Sequence, residues 1–190
     1  IGNPLSPYAV TKYVNELYAD VFAKTYDTAT IGLRYFNVFG PKQDPDGAYA
    51  AVIPKFISSL LNHESPVING DGSFSRDYTY IDNVVQANLL ALVTDNKNAL
   101  NEGYNIAYGA RTSLIELVNL LKDRLLNYDS DLIEIQPKFG PERPGDVPHS
   151  LASIAKAKNL LGYDPEYDLE AGINKAIDWY KENLETDKDN

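Results

Sequence analysis

Along the chain, stretches whose apolar residues recur every three to four positions alternate with short β-branched runs bounded by Gly, Pro and Asn, and this alternation predicts an α/β protein. Ser6-Pro7 reads as an N-cap followed by proline at the first helical position, and Ala9, Tyr13, Leu17 and Val21 carry the helical spacing to about Lys24. Residues 28–36 are β-branched and apolar, the pattern of a strand buried on both faces as in a parallel sheet. That strand ends at Asn37. Residues 38–49 contain Gly40, Pro41, Pro45 and Gly47 and predict a loop longer than most connections, a natural place for function.

The same reading predicts a helix over 50–62, a strand over 66–69, a turn at Gly70-Asp71-Gly72 and a strand over 76–80. Asp82 is placed to cap an apolar helix reaching Thr94, residues 104–107 form a short strand, and Ser113 is placed to cap a helix reaching Leu126. Residues 132–139 look strand-like, 140–148 form a second Gly/Pro-rich loop, and helices near 153–161 and 169–184 precede a charged tail. There is no internal repeat.

Composition narrows the function. Lys plus Arg number 17 against 27 Asp plus Glu, a net charge of -10 that would repel a phosphate backbone, so nucleic acid is not an expected partner. Any phosphate must then be met by local cations, and only five arginines are available: Arg34, Arg76, Arg111, Arg124 and Arg143. Cysteine is absent, which excludes disulfides and a thiolate nucleophile and fits a cytoplasmic location. No apolar run approaches the ~18 residues of a membrane span. The chain has no methionine and opens on Ile1-Gly2-Asn3-Pro4, and it reads as a fragment of a longer protein.

Several residues could carry chemistry. Tyr8 and Lys12, four apart on the first helix, share a face on which the ammonium can lower the phenol's pKa and favour a phenolate base. Such spacing also arises by chance. Asn37 sits where the presumed parallel strand ends, the usual place for ligands in such sheets, although an Asx turn would equally stop the strand. Arg76 begins a strand after a Gly-Asp-Gly turn and can present its fork to a phosphate, or else pair with neighbouring Asp77. Arg143 and Asp146 flank Pro144-Gly145 and offer a cation beside a two-oxygen acceptor, suited to a phosphate and a ribose diol or to a plain salt-bridged turn. His63, His149 and the pair Asp44 and Asp46 are weaker candidates, without metal-ligand spacing.

Five strings in register, NPLSPYAVTK (3–12), GLRYFNVFGPKQ (32–43), GAYAAVIPKF (47–56), NGDGSFSRDYTYIDNV (69–84) and GPERPGDVPHS (140–150), make the chain resemble the extended short-chain dehydrogenases that act on nucleotide sugars. Within them it most resembles the UDP-N-acetylhexosamine 4-epimerases, which act on UDP-GlcNAc and UDP-GalNAc. The resemblance implies NAD as cofactor, Tyr8 as catalytic acid-base, Lys12 holding the nicotinamide ribose, and Tyr35 contacting the cofactor. It implies substrate contacts from Asn37, from the backbone near Ala51 and Val52, and from Arg76, Arg143 and Asp146. Ser150, four residues after that aspartate, would line the pocket beside the sugar's C2 substituent, where a small residue leaves room for an acetamido group and a tyrosine would not. A simple N-cap role for Ser150 is the alternative.

By the same resemblance, residues 1–36 close a Rossmann-type dinucleotide-binding domain whose parallel sheet began upstream. Residues 37–184 are mainly a smaller α/β substrate domain, with 104–107 a candidate for returning to the Rossmann sheet, and 185–190 form the tail. The full-length enzyme would be a homodimer, acting on a UDP-sugar, with no nucleic acid or membrane partner. The chain departs from the family in having no glycine-rich βα turn and no upstream catalytic Ser or Thr, so this segment alone is expected to be inactive. UDP-glucuronate and UDP-glucose 4-epimerases, nucleotide-sugar 4,6-dehydratases and a non-catalytic nucleotide-sugar binding module are the other readings.

Overall fold

A computed structural model describes residues 3, 4, 6–45, 51–142 and 146–184. Helix α1 (Pro7–Tyr26) begins as the sequence predicts. The Ser6 side chain accepts the Ala9 amide at 3.1 Å, and the helix stops at Asp27 in the left-handed region. After a short connection the chain enters β1 (Ile31–Tyr35), so α1 runs back along the strand, and Arg34 grips Glu16 through two bonds of 2.6 Å. That pairing holds the Glu16 carboxyl below its ordinary range.

Strand β1 pairs in parallel with β6 (Glu102–Ile106), in register from Ile31 opposite Glu102 to Tyr35 opposite Ile106. A parallel pair needs a long crossover, and this one contains α2 (Val52–Leu61) and α3 (Ile81–Val93). Val84 and Ala87 of α3, Tyr104 and Ile106 of β6, Leu161 of α5 (Ala155–Leu161) and Tyr163 close one small core around the pair. The strand is shorter than 28–36 and none of its residues is fully buried: Tyr35 is 49% exposed. Thr30 is instead taken by the Asn101 side chain.

The larger core lies where α2, α4 (Leu114–Leu125) and α6 (Leu169–Leu184) meet, with Ile57, Leu60, Leu117, Leu121, Ile173 and Tyr180 fully buried. Short strand pairs tie it together: β2 (Val38–Phe39) parallel to β5 (Thr79–Tyr80), β3 (Val67–Asn69) parallel to β8 (Lys138–Gly140), and β4 (Ser75–Arg76) antiparallel to β7 (Thr112–Ser113). Ser113 caps α4 in a reciprocal capping box with Glu116, as its spacing predicts. Gly70 and Gly72 take the positive φ values, 81° and 86°, that the turn between β3 and β4 requires.

Three expectations are corrected. The strand expected over 76–80 is two strands, because the segment changes partner: Ser75–Arg76 pair with β7 and Thr79–Tyr80 with β2. Asp82 does not cap α3: the cap position is Tyr80, and Asp82 lies in the first turn, where a carboxylate still favours the helix dipole. Most of 132–139 is not strand. Residues Ser130–Glu134 form a 3₁₀ turn with Leu132 buried, and Pro137, which lacks an N–H, delays pairing until Lys138.

Helix α6 crosses the larger core at Gly172, where an added Cβ would lie 2.7 Å from the Phe39 ring and 2.9 Å from Tyr80. Gly172→Ala gains about 1 kcal/mol of helix propensity but must displace two packed rings, a strain of roughly 1–3 kcal/mol, so the variant is expected to be less stable. Urea unfolding is the check. A stabilised variant would mean that α6 does not approach β2 and β5 this closely.

Candidate nucleotide-sugar site

Just past the carboxyl end of β1 the chain forms a cavity of about 610 Å³, lined by Asn37, Ala51, Val52, Lys55, Arg76, Tyr78 and Asp146 among others. Asn37 turns the chain here with φ at 36°, a conformation that Asn tolerates better than most residues. Its amide nitrogen donates to the Asp77 carbonyl at 2.9 Å and its carbonyl accepts the Thr79 amide, so the turn is stitched to β5 rather than closed on itself. The alternative of a self-contained Asx turn is thereby set aside.

Ala51 is the N-cap of α2 and Val52 its first residue. The helix has no side-chain cap and no acidic residue in its first turn, so the positive end of its dipole meets the cavity unneutralised by its own sequence. Lys55, one turn on, and Arg76 from β4 add two formal cations, against the carboxylates of Glu64 and Asp146. In a chain of net charge -10 the formal charges lining this cavity therefore balance, and the start of α2 adds N–H groups that can meet a small anion.

Arg76 does not pair with Asp77. Its guanidinium donates to the carbonyls of Ser75 at 3.0 Å and Pro148 at 3.2 Å, which holds it against the second Gly/Pro-rich loop. Asp146 of that loop lines the cavity, whereas Arg143, like Asp46, lies outside the described residues. Ser150 does not line the cavity: its amide donates to the Ser75 carbonyl at 3.0 Å. Nor is Ser150 a helix cap, since α5 begins at Ala155 with Ile154 in the cap position. His149 bonds Ser75 through Nδ1 at 3.0 Å, and His63 faces Asp129 at 2.9 Å. Among the described residues no cluster of three or more metal-ligating side chains occurs.

The structure leaves Tyr8, Lys12 and Tyr35 out of this cavity. Tyr8 is 64% exposed, with the Lys12 ammonium 5.1 Å from its ring centre, the same-face geometry that four-residue spacing dictates. Because Glu16 meets Arg34 and α1 runs antiparallel to β1, Tyr8 lies about 12 Å further along the helix axis from Glu16, towards the carboxyl end of the sheet. The Tyr35 hydroxyl, at that same end, donates to Asn88 at 3.0 Å. Tyr35 and the cavity residue Asn37 both lie at the carboxyl end of β1, the edge where ligands of parallel α/β folds bind.

Two cavity residues were not singled out by the sequence. Lys55 is an ordinary helix lysine until its neighbours are known. Tyr78 is 4% exposed, its hydroxyl has no hydrogen-bond partner among the described residues, and burial pushes its pKa well up against the opposing pull of Arg76. Period-two alternation from Arg76 was the available signal, since i and i+2 of an extended segment share a face.

The profile of the NAD dependent epimerase/dehydratase family matches residues 1–107. Among solved structures, the chain is similar to UDP-glucose 4-epimerase of Thermotoga maritima with UDP-glucose, at 40% identity and a TM-score of 0.86, covering 96% of this chain and 55% of that one. It is similar to UDP-N-acetylglucosamine 4-epimerase of Methanobrevibacter ruminantium in complex with UDP-N-acetylmuramic acid, at 41% identity and a TM-score of 0.83, covering 94% and 54%. It also resembles UDP-glucuronic acid 4-epimerase of Bacillus cereus in complex with UDP-glucuronic acid and NAD, at 32% identity and a TM-score of 0.83, covering 96% and 55%. The chain spans about half the length of the curated relatives it matches. Its fold is the α/β, Rossmann-like arrangement of these proteins, of which it covers one part.

A buried hydroxyl without a partner costs stability, so Tyr78→Phe is expected to leave the free protein as stable as before or more stable by up to about 1 kcal/mol. Thermal unfolding without ligand tests this. A clear loss of stability would show that the hydroxyl is bonded in the free protein.

Proposed function

The chain belongs to the NAD dependent epimerase/dehydratase family, and from that premise we propose that it supplies the substrate cavity and the tyrosine–lysine pair of an NAD-dependent UDP-sugar 4-epimerase. The observation that carries this reading is the convergence of Asn37, the uncapped start of α2 at Ala51 and Val52, Arg76 and Asp146 on one cavity at the ligand-binding edge of the sheet. In this reading Asn37, Arg76, Arg143 and the α2 terminus hold the diphosphate of UDP, and Asp146 holds the ribose diol. Residues 1–36 with β6 belong to the dinucleotide-binding domain, and most of 37–184 to the substrate domain. The exposed apolar residues of α1, Val10, Val14, Leu17, Val21 and Phe22, give the helix a face for the homodimer contact.

Tyr8 and Lys12 suit the cofactor's reactive end. Both are accessible on the helix face above the sheet edge, and Tyr35 lies at the end of the adjoining strand. NAD held there by Lys12 and Tyr35 would supply reversible hydride transfer at the sugar's C4. Tyr8 takes the proton of the 4-hydroxyl, the 4-keto sugar turns over, and Tyr8 gives the proton back as the opposite face is reduced, so no net oxidation results. Lys12, whose ammonium lies 5.1 Å from the Tyr8 ring centre, binds the nicotinamide ribose beside Tyr8.

Identities of 40% and 41% to a UDP-glucose and a UDP-N-acetylglucosamine epimerase favour neither sugar. The proposal of a UDP-N-acetylhexosamine substrate rests on Ser150 instead. Its amide is bonded to the Ser75 carbonyl, next to the cavity residue Arg76, although Ser150 itself is not part of the lining.

In the full-length protein Tyr8→Phe is expected to lower turnover by roughly 100- to 10,000-fold with UDP affinity unchanged. Arg76→Ala is expected to do the reverse, weakening UDP by about 1.5–3 kcal/mol whatever sugar is attached. Steady-state rates and calorimetric titration of UDP on both variants separate the roles. Tyr8→Phe activity within about threefold of wild type, or unchanged UDP affinity in Arg76→Ala, would defeat the corresponding assignment.

Ser150→Tyr is expected to abolish turnover of UDP-N-acetylglucosamine while sparing UDP-glucose, because a phenol occupies the volume that an acetamido group needs. Comparing kcat/KM for the two sugars tests the choice. An unaltered preference would return the substrate to UDP-glucose or UDP-glucuronate.

A further inference from the structure

Asp77 stands between two residues that line the cavity, Arg76 and Tyr78, yet its own side chain points the other way and is fully buried. One carboxylate oxygen accepts the Tyr108 amide at 3.2 Å and the Gly109 amide at 3.3 Å. The other accepts Gly109 at 3.1 Å and Ala152 at 3.3 Å. None of the ion pairs among the described residues involves Asp77, whose pKa is raised by burial and pulled back by these amides. A buried carboxylate without a cation is expensive, and amide donors are what make it tolerable here.

The three amides belong to two segments distant in sequence. Tyr108 and Gly109 form the turn after β6. Ala152 ends a stretch that runs alongside 75–77: Ser75 donates to the Pro148 carbonyl at 2.9 Å, Ser150 donates to the Ser75 carbonyl at 3.0 Å, and Arg76 reaches Pro148. The Asp77 carboxylate closes this row at Ala152. Its own carbonyl meanwhile receives the Asn37 amide. Asp77 is therefore bonded to the turn bearing Asn37, to the segment downstream of Asp146, and to the end of β6, and it adjoins Arg76 in the chain.

We propose, on the basis of the function proposed above, that Asp77 is a positioning residue for the nucleotide-sugar cavity, whose carboxylate fixes residues 146–152, and with them Asp146, at a set distance from Arg76 and Asn37. Only a carboxylate offers acceptors to all three amides. An asparagine offers one oxygen and an NH₂ group that must confront an N–H, so it loses either the 108–109 turn or Ala152.

The test uses the full-length protein with UDP and NAD as separate probes. Asp77→Asn is expected to raise the UDP dissociation constant about tenfold or more, and KM with it, while NAD affinity stays within about twofold and kcat within about threefold. A UDP affinity within about twofold of wild type would overturn the proposal, as would equal weakening of UDP and NAD, the mark of general destabilisation. Should that variant fail to fold, Ala152→Pro removes one of the three N–H groups and leaves the 108–109 side bonded. It is expected to weaken UDP at least about threefold with NAD unchanged, and unchanged UDP binding would again overturn the role of Asp77. If the wild-type protein itself bound no UDP, the proposed function would be what fails.

Discussion

A carboxylate taken out of water with no ion pair among the described residues has to collect N–H donors, and the ones that Asp77 collects come from two segments distant in sequence, 108–109 and 152. Much of the cavity's architecture follows. Side-chain alternation turns Asp77 inward and leaves its neighbours Arg76 and Tyr78 facing the opposite way, into the cavity. The Asp77 carboxylate also brings the end of β6, a strand of the parallel pair, into bonded contact with the segment that follows Asp146. Asp77 acts there together with the Asn105 bond to the Ser153 carbonyl and the packing of Ile154 against the small core.

Electrostatics then decides what such a cavity is good for. The chain as a whole is acidic, and within a Debye length of about 8 Å its surface discourages anions. Inside the cavity, Lys55 and Arg76 are balanced by Glu64 and Asp146, so the lining is far less negative than the chain as a whole. Helix dipole effects of about 0.3–1 kcal/mol from the start of α2 add to the cations. In the proposed function the cations and the helix terminus meet the diphosphate, and a carboxylate is left for hydroxyl groups.

Elements whose signals are local were legible in the sequence. Ser6-Pro7 and the Ser113–Glu116 box each encode a helix start within four residues, and the glycines at 70 and 72 encode their turn through φ alone. Residues 132–139 misled because Leu132, Ile133 and Ile135 look like strand positions, whereas burial of Leu132 and bonding of the Ile133 and Ile135 carbonyls by Lys122 come from another helix. The cavity residues Asn37, Arg76 and Asp146 were found through motif strings, but Tyr78 and Asp77 were passed over. Their importance lies in which way each side chain turns, and an adjacent Arg-Asp pair suggests a salt bridge that the fold does not make. Ser150 was placed in the right loop. That it pairs through its backbone, and caps no helix, depends on β4 lying beside it.

The separation between the cavity and the tyrosine–lysine pair has a consequence for the proposed chemistry. A 4-epimerase must hold its substrate firmly while letting the sugar present both faces to one hydride carrier. If the strong contacts were made to the sugar, each face would need its own set, and turning over would forfeit them. Contacts to the diphosphate and the nucleoside survive the turn unchanged, so binding energy placed there stabilises both orientations alike and can offset the cost of ordering the reacting end. In the proposed function the anchoring falls to Asn37, Arg76, Asp146 and the start of α2, which line one cavity, while Tyr8 and Lys12 lie outside that lining.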